Sequence, residues 1–247
     1  MQGTYSISEL KERISWEHFF HPWKVPAGTD EAAGLKAEAL AMLTEYDSKL
    51  DIRYILQPFV TKKETDDIII DNTRIPFLRQ QLPNADGNCL CMTDFIDDGD
   101  TVCVFATTVQ THGIEHELYD DPYRSLLLLT ISDRLAEAAA DVLQDDTSKQ
   151  MGWGTTNIIR PAIGYPSIPD MSINFLLDSI CHFEKIGIRL TENGMMQPHS
   201  SVSGFMIAKP KARYFSIGPV TTEQIADYAQ RRGFSIEESK KYVYEQR

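Results

Sequence analysis

Apolar residues recur every three to four positions in three segments, a spacing that predicts helices. The segments run from Glu31 to Leu50, from Pro122 to Gln144 and from Met171 to Ile186. The second is apolar on nearly all sides, so we expect it to form one long buried helix. In the first, the repeat is made by Leu35, Ala39, Met42, Leu43 and Tyr46.

Hydroxyl residues that can cap helices mark further helix starts. Ser6 opens an S-x-x-E capping box, which predicts a short helix ending near Ser15. Near the C terminus, Thr221 and Ser235 each stand three residues before a glutamine or glutamate, and Gly233 separates the two segments. The C-terminal region is therefore predicted to form two short helices.

Strands are predicted where β-branched and aromatic residues lie between turn signals. These segments come in two groups with the long helix between them, rather than alternating with helices. This grouping predicts a single α+β domain over residues 1–247 with a largely antiparallel sheet. The predicted strands cover residues 51–60, 66–71, 89–96, 100–109, 187–196, 201–208 and 212–218.

The amino-acid composition limits the classes of partner that this chain is expected to bind. The chain carries 36 acidic residues against 24 lysines and arginines, a formal charge of −12. Proteins that bind nucleic acid usually present a basic face, so the acidic balance argues against that class. The N-terminal segment lacks the apolar core of a signal peptide, and the aliphatic run from Leu126 to Ile131 is too short to span a bilayer. We therefore expect a cytoplasmic protein that binds neither nucleic acid nor membrane.

Cysteines and histidines give only a weak metal signal. Cys89 and Cys91 form a C-x-C pair, but no second pair follows at zinc-finger spacing. His112 and His116 stand four residues apart, with a glycine inside the turn. A metal enzyme built on these residues is an open alternative, whereas free thiols in a reducing compartment are the simpler interpretation. We expect no metal.

Residues 160–169, with the sequence RPAIGYPSIP, are the strongest candidate for a binding site. The prolines disfavour both a regular helix and a central strand, so the loop should hold Arg160 and Tyr165 rigidly. A guanidinium suits a carboxylate, and Gly164 allows a ligand to approach the backbone. A ligand with a carboxylate, a flat ring and a positive charge would fit these groups. An internal arginine–carboxylate strut fits them equally well.

Two acidic residues stand out on the long predicted helix. Asp133 and Glu137 are one turn apart and therefore share a face. Together with Arg134, which also stands out on this apolar helix, they are expected to form either an ion pair or the polar lip of a binding site.

Several motifs together resemble one known family. They occur in the order ELKERISWEHFFHPW, SDRLAEAAADVL, IIRPAIGYPSIPD, IGIRLTENGMM, SSVSGF, ARYFSIG and IADYAQRRGFSIEE. This series resembles the activation domain of cobalamin-dependent methionine synthase over nearly the whole chain, most strongly from Asp133 to Glu238. The resemblance implies a C-shaped α+β domain in which helices flank a curved, largely antiparallel sheet.

The resemblance also implies that the chain binds S-adenosylmethionine. Arg160 would contact the ligand carboxylate, while Gly164 and Tyr165 would shape the pocket. The other positions that the family pattern places at or near the ligand are Ala162, Tyr214, Phe215, Asp133, Glu137 and Ser15.

The chain departs from the family pattern at several positions. Ser15 replaces the ligand-binding aspartate of the family, so the contact to the ligand amino group is either weakened or supplied by another acid, such as Glu12 or Glu17. Met171 replaces a histidine that usually follows the loop, and Gln197 precedes Pro198 where the family has tryptophan.

In that family, cobalt(II) cobalamin is reduced by a flavodoxin-type electron donor and is then methylated by the bound ligand. Because the activation-like region fills the 247 residues, we expect a free-standing subunit. Its partner would be a cobalamin-binding methionine synthase that lacks its own activation domain, with the cobalamin carried by that partner. The alternative is a docking or sensor module for a corrinoid protein that has lost methyl transfer, which the changes at Ser15 and Met171 favour.

Overall fold

The strands form three antiparallel sheets in the computed structural model, which describes residues 1–154 and 156–243. The largest has five strands in the order β1-β2-β6-β10-β7, a second contains β3, β4 and β5, and a third pairs β8 with β9. The strands are β1 (Gln2–Tyr5), β2 (Asp51–Val60), β3 (Lys62–Glu64), β4 (Asp67–Ile70), β5 (Thr73–Pro76), β6 (Thr101–Gln110), β7 (Ile158–Ile159), β8 (Arg189–Leu190), β9 (Met196–Gln197) and β10 (Ser201–Ala208).

Helices pack against the sheets and, near the C terminus, against each other. They are α1 (Ile7–Leu10), α2 (Trp16–Phe20), α3 (Asp30–Glu45), α4 (Ile114–Glu117), α5 (Pro122–Met151), α6 (Ile173–Cys181), α7 (Thr222–Arg232) and α8 (Ile236–Tyr242). Short 3-10 turns cover Lys11–Arg13, Met92–Phe95 and Phe183–Ile186. None of the helices in the described part of the chain has both the length and the apolar character needed to cross a bilayer.

Side chains alternate between the two faces of the large sheet, so each face has its own core. On the first face, Leu56 of β2 and Phe105 of β6 pack beneath α3 and α5. On the second face, Val104 and Phe205 pack with the small three-stranded sheet and α6. Strand β6 lies in the middle, and every residue from 102 to 109 is buried.

Helix α5 lies along the first face of the large sheet. The Asp121 carboxylate caps its N terminus, Pro122 takes the first position, and Gly152 ends it in a left-handed conformation with φ 65°. At mid-length, the Thr107 hydroxyl of β6 donates to the Ala136 carbonyl at 2.9 Å. This contact fixes the helix on the sheet where its polar side chains Glu137 and Asp141 face the loop of residues 160–169.

The predicted fold class is confirmed, as an α+β domain with an antiparallel central sheet. The predicted strands at 51–60, 100–109 and 201–208 and the capped helices at both ends are present. The long helix is also present, and it continues seven residues beyond its predicted end, to Met151.

Three strand predictions were wrong or incomplete. At residues 89–96, the Asp94 carboxylate accepts from the Cys91 amide at 2.8 Å and turns the chain into a 3-10 helix. Residues 212–218 form an extended segment without ladder pairing, because their contacts go to the irregular loop of residues 160–169. Residues 187–196 contain only the two-residue strand β8 and the start of β9.

The helix predicted from Met171 to Ile186 is also shorter than expected. Helix α6 stops at Cys181, because His182 adopts the left-handed conformation with φ 60°. The remaining residues form a 3-10 turn.

Candidate ligand-binding site

The loop of residues 160–169 lies against β10 and forms two backbone hydrogen bonds with it. The Ile163 amide donates to the Ser203 carbonyl at 2.9 Å, and the Phe205 amide donates to the Pro161 carbonyl at 3.1 Å. Between them, Gly204 approaches the loop so closely that an added Cβ would lie 2.3 Å from the Pro161 oxygen. The loop is therefore held rigidly by a strand, although its prolines prevent it from becoming one.

Gly164 gives the loop its turn. It has φ +84°, which favours glycine, and its amide donates to the Ile168 carbonyl at 2.9 Å. An added Cβ would lie 2.3 Å from the sulfur of Met171. The space released by the missing side chain is thus filled by Met171, and Gly164 shapes the loop without lining a cavity.

The extended segment of residues 212–218 forms a second wall. The Arg160 amide donates to the Tyr214 hydroxyl at 2.8 Å, and the Ile217 amide donates to the Pro166 carbonyl at 2.9 Å. The Ser167 hydroxyl donates to the Phe215 carbonyl. These bonds link two irregular segments and bring Tyr214 and Phe215 beside the proline loop.

Two cavities open on this surface. The larger encloses about 460 Å³ and has mainly apolar and aromatic walls, formed by Glu137, Arg160, Pro161, Ala162, Tyr165, Pro166, Ser167, Tyr214 and Phe215. The smaller encloses about 390 Å³ and carries more charge, with walls formed by Arg13, Ser15, His18, Arg134, Glu137, Ala138, Asp141, Arg160 and Tyr165. Glu137, Arg160 and Tyr165 line both cavities, and we call these three side chains the polar bridge.

Arg160 provides the positive charge of the polar bridge. Its Nη2 lies 2.6 Å from Asp141 Oδ1 and 3.7 Å from Glu137 Oε2. Its Nη1 is buried and has no hydrogen-bond partner among the described residues. A buried donor without a partner costs about 1–3 kcal/mol. The guanidinium is therefore tied to α5 on one side and lacks an acceptor on the other.

Tyr165 closes the bridge from the loop side. Its hydroxyl donates to Glu137 Oε1 at 2.9 Å. Burial, together with the negative charge of Glu137, raises the pKa of Tyr165 to about 12. The phenol therefore keeps its proton and acts as a hydrogen-bond donor at neutral pH, while half of the side chain remains exposed to the cavities.

Ser15 lies on the smaller cavity, where its hydroxyl is 2.8 Å from His18 Nδ1. Neither Glu12 nor Glu17 is among the residues that line this cavity; the acids that do so are Glu137 and Asp141. The carboxylates on this cavity therefore come from α5 rather than from residues near Ser15 in the sequence.

Asp133 lies outside both cavity walls. Its carboxylate accepts from the Ser200 hydroxyl at 2.7 Å and faces His199 Nδ1 at 3.4 Å. The structure thus groups Glu137, Arg160, Ala162, Tyr165, Tyr214 and Phe215 around the larger cavity, with Ser15 on the adjoining one. The predicted contacts of all these residues to a ligand stay predictions.

The residues of the metal alternative are dispersed. His112 precedes α4 with φ 42° and faces Asp51 at 3.5 Å, whereas His116 lies within that helix. Among the described residues there is no group of three or more histidine, cysteine or acidic side chains placed to hold a metal.

Two comparisons relate this chain to known proteins. The sequence model of one family, described as "Vitamin B12 dependent methionine synthase, activation domain", matches residues 6–233. The chain belongs to this family. Among solved structures, this activation domain is similar to one described as "Crystal Structure of the MetH Reactivation Domain bound to AdoHcy". The TM-score is 0.88 at 25% sequence identity, over 98% of this chain and 88% of that one.

Sequence reasoning missed several residues that line the site of this activation domain. Asp141 contacts Arg160 directly, yet the sequence singled out only Asp133, Arg134 and Glu137 on the long helix. The signal was present, because residues 133, 137 and 141 recur at four-residue intervals and so follow one helix face. His18 was missed as well, because its place on the smaller cavity follows only from the packing of the helices.

Proposed function

We propose that this activation domain binds S-adenosylmethionine across the two cavities and presents its methyl group to the cobalamin of a methionine synthase. The observation that carries the proposal is the guanidinium of Arg160, which lines both an aromatic cavity and a charged one and has one nitrogen, Nη1, without an acceptor among the described residues. A ligand carboxylate that enters either cavity can pair with this guanidinium.

The walls of the two cavities suit the two ends of this ligand. Tyr214 and Phe215 offer aromatic faces in the larger cavity, where a flat adenine ring can stack. The smaller cavity combines Arg160 with Asp141 and Ser15, and such charged and polar groups suit an amino-acid end. S-adenosylhomocysteine, which the similar MetH domain holds, has both of these ends and lacks only the methyl group.

Methyl transfer from S-adenosylmethionine requires the protein mainly to orient the ligand. S-adenosylmethionine supplies a methyl group on a sulfonium, and its transfer to a nucleophile releases a neutral thioether without a general base. The residues of the polar bridge would fix the ligand and thereby aim the methyl group. Glu137 adds negative charge near the middle of the ligand, which favours a sulfonium over its neutral product.

The proposal includes action in trans. The domain would serve a separate methionine synthase that carries cobalamin but lacks an activation domain of its own. A flavodoxin-type protein would supply the electron, and all three proteins would meet in the cytoplasm.

A reconstitution assay tests this function. A cobalamin-loaded synthase without an activation domain is inactivated by oxidation and mixed with S-adenosylmethionine and a flavodoxin-type donor. Turnover should return only when this chain is added, and Arg160→Ala should fail to restore it. If the chain binds the synthase without restoring turnover, the proposed function is wrong and the chain is a docking or sensor module.

A further inference from the structure

The ion pair between Arg160 and Asp141 is the part of the site that the proposed function leaves unexplained. The two side chains meet at 2.6 Å on the wall of the smaller cavity. The Arg160 side chain is 12% exposed, whereas that of Asp141 is 49% exposed and therefore reachable from the cavity. A ligand entering this cavity meets both charges of the pair at once.

An α-amino acid carries a carboxylate and an ammonium group on a single carbon atom. If such a group enters between Arg160 and Asp141, its carboxylate can pair with the guanidinium and its ammonium with the aspartate. One ion pair is exchanged for two, so no charge is left without a partner. A ligand that carries only one of these charges leaves the other member of the pair unmatched when it enters between them, whereas a ligand with neither charge leaves the pair as it is.

Asp141 is better placed for this role than the other acid of the smaller cavity. Glu137 already accepts from the Tyr165 hydroxyl at 2.9 Å and faces Arg160 at 3.7 Å. Among the described residues, Asp141 has only Arg160 as a side-chain partner, through one of its two oxygens. Its second oxygen is therefore available to a donor from the cavity.

The other side chains that line the smaller cavity do not compete for the ammonium. Ser15 and His18 are joined by a hydrogen bond of 2.8 Å, so the hydroxyl there has a partner already. Arg13 and Arg134 are cations and repel an ammonium.

We propose that Asp141 binds the α-ammonium group of the ligand. The Arg160–Asp141 pair then recognises both charges of the amino-acid end, the carboxylate through Arg160 and the ammonium through Asp141. This inference rests on the proposed function, because it assigns the contacts of the same ligand. It makes Asp141 a specificity residue, which separates ligands that carry an amino acid from those that end in the nucleoside.

Two probes that share the nucleoside test this assignment. S-adenosylhomocysteine carries the amino acid, whereas 5′-methylthioadenosine lacks it. Calorimetric titration of Asp141→Asn should show about tenfold or greater weakening for the first probe, as expected for a lost hydrogen bond between charged groups, and less than about twofold for the second. Asp141→Glu should restore most of the affinity for S-adenosylhomocysteine.

The matched control is Asp146→Asn. Asp146 lies on the same helix and is similarly exposed, at 53%, but it contacts Lys149 and Tyr5 rather than the site. This variant should bind both probes like the wild type, and thermal melting checks that each variant is folded.

The possible outcomes separate the two proposals. If the wild type does not bind S-adenosylhomocysteine, the proposed function fails, and this inference fails with it. If the wild type binds but Asp141→Asn binds equally well or more tightly, only the assignment of Asp141 is wrong. Equal weakening for both probes would likewise contradict it, because that result indicates support of the loop rather than recognition of the ammonium.

Discussion

Gly204 allows a sharp test of how β10 holds the ligand-binding loop. A Cβ at this position would lie 2.3 Å from the Pro161 carbonyl oxygen and 2.9 Å from the Ala162 Cα, and both are backbone atoms. Gly204→Ala must therefore push the loop away from the strand. The hydrogen bonds Ile163 to Ser203 and Phe205 to Pro161, on either side of the contact, would then lengthen or break.

The cost follows from these contacts. Overpacking costs about 1–3 kcal/mol, and each of the two weakened hydrogen bonds about 0.5–1.5 kcal/mol, so we expect Gly204→Ala to lower the free energy of unfolding by roughly 2–6 kcal/mol. Since Arg160 begins the displaced loop, ligand affinity should fall in the fraction that stays folded. Urea unfolding followed by circular dichroism measures the first effect, and calorimetric titration with S-adenosylhomocysteine measures the second.

Gly34→Ala provides the matched control. Gly34 lies in α3, and an added Cβ there meets no atom within 4 Å. The same change should raise the free energy of unfolding by about 0.5–1 kcal/mol, because alanine favours a helix over glycine. If Gly204→Ala is as stable as the wild type and binds ligand with the same affinity, the proposed support of the loop by β10 is refuted.

Three further predictions concern buried or paired groups. Tyr228 donates to the buried Asp170 at 2.6 Å, so Tyr228→Phe should lower the free energy of unfolding by about 1.5–3 kcal/mol; an unchanged urea midpoint would contradict this. Burial raises the pKa of three of the four cysteine thiols to about 11 or 12, so a thiol reagent at pH 8 should label Cys89 alone in the native protein, as peptide mapping can check. The pKa of Tyr165 is raised to about 12 from 10, so its phenol stabilises the folded state fully below pH 10 and this contribution is lost as the pH rises through 12. Because the side chain is half exposed, the effect is at most about 1 kcal/mol. Urea unfolding at pH 8 and pH 11 should show the gap between wild type and Tyr165→Phe closing, and a constant gap would refute the assignment.

Local patterns predicted the elements whose formation depends on their own residues. The long helix has an aspartate cap, a proline in the first turn and continuous apolar residues, so sequence and structure agree over nearly its whole length. The C-terminal helices begin directly after Thr221 and Ser235, which cap them as predicted. The loop of residues 160–169 was likewise predicted to be irregular, because its prolines exclude the alternatives.

Contacts between distant segments decided the elements that were predicted wrongly. Residues 212–218 have strand-like composition, yet the Pro166 carbonyl and Ser167 hydroxyl bind their backbone in place of a neighbouring strand. At residues 89–96, Asp94 binds the Cys91 amide and also pairs with Arg79, which favours a turn over a strand. Pro166, Ser167 and Arg79 lie outside the segments that they bind, so the local pattern does not reveal them.

The candidate site was also predicted only in part, according to whether a residue's role depends on local sequence or on packing. Arg160 and Tyr165 were found from the loop itself, since their residue types and rigid setting indicate binding. Asp141 was missed, because its role depends on the packing of α5 against the loop, which creates the 2.6 Å contact. The family resemblance did not indicate it either: Asp141 lies within the matched segment SDRLAEAAADVL, but of that segment the resemblance placed only Asp133 and Glu137 near the ligand.

Equilibrium binding of S-adenosylmethionine to the wild type and to Arg160→Ala tests the central claim most directly. We expect saturable binding at one site per chain, and roughly 30-fold or greater weakening in the variant, as expected when one member of a buried charge pair is removed. Arg124→Ala is the control, because Arg124 lies on the same helix as Asp141 but pairs with Glu45, away from the site; it should bind like the wild type. Absence of saturable binding, or equal affinity in Arg160→Ala, would contradict the account.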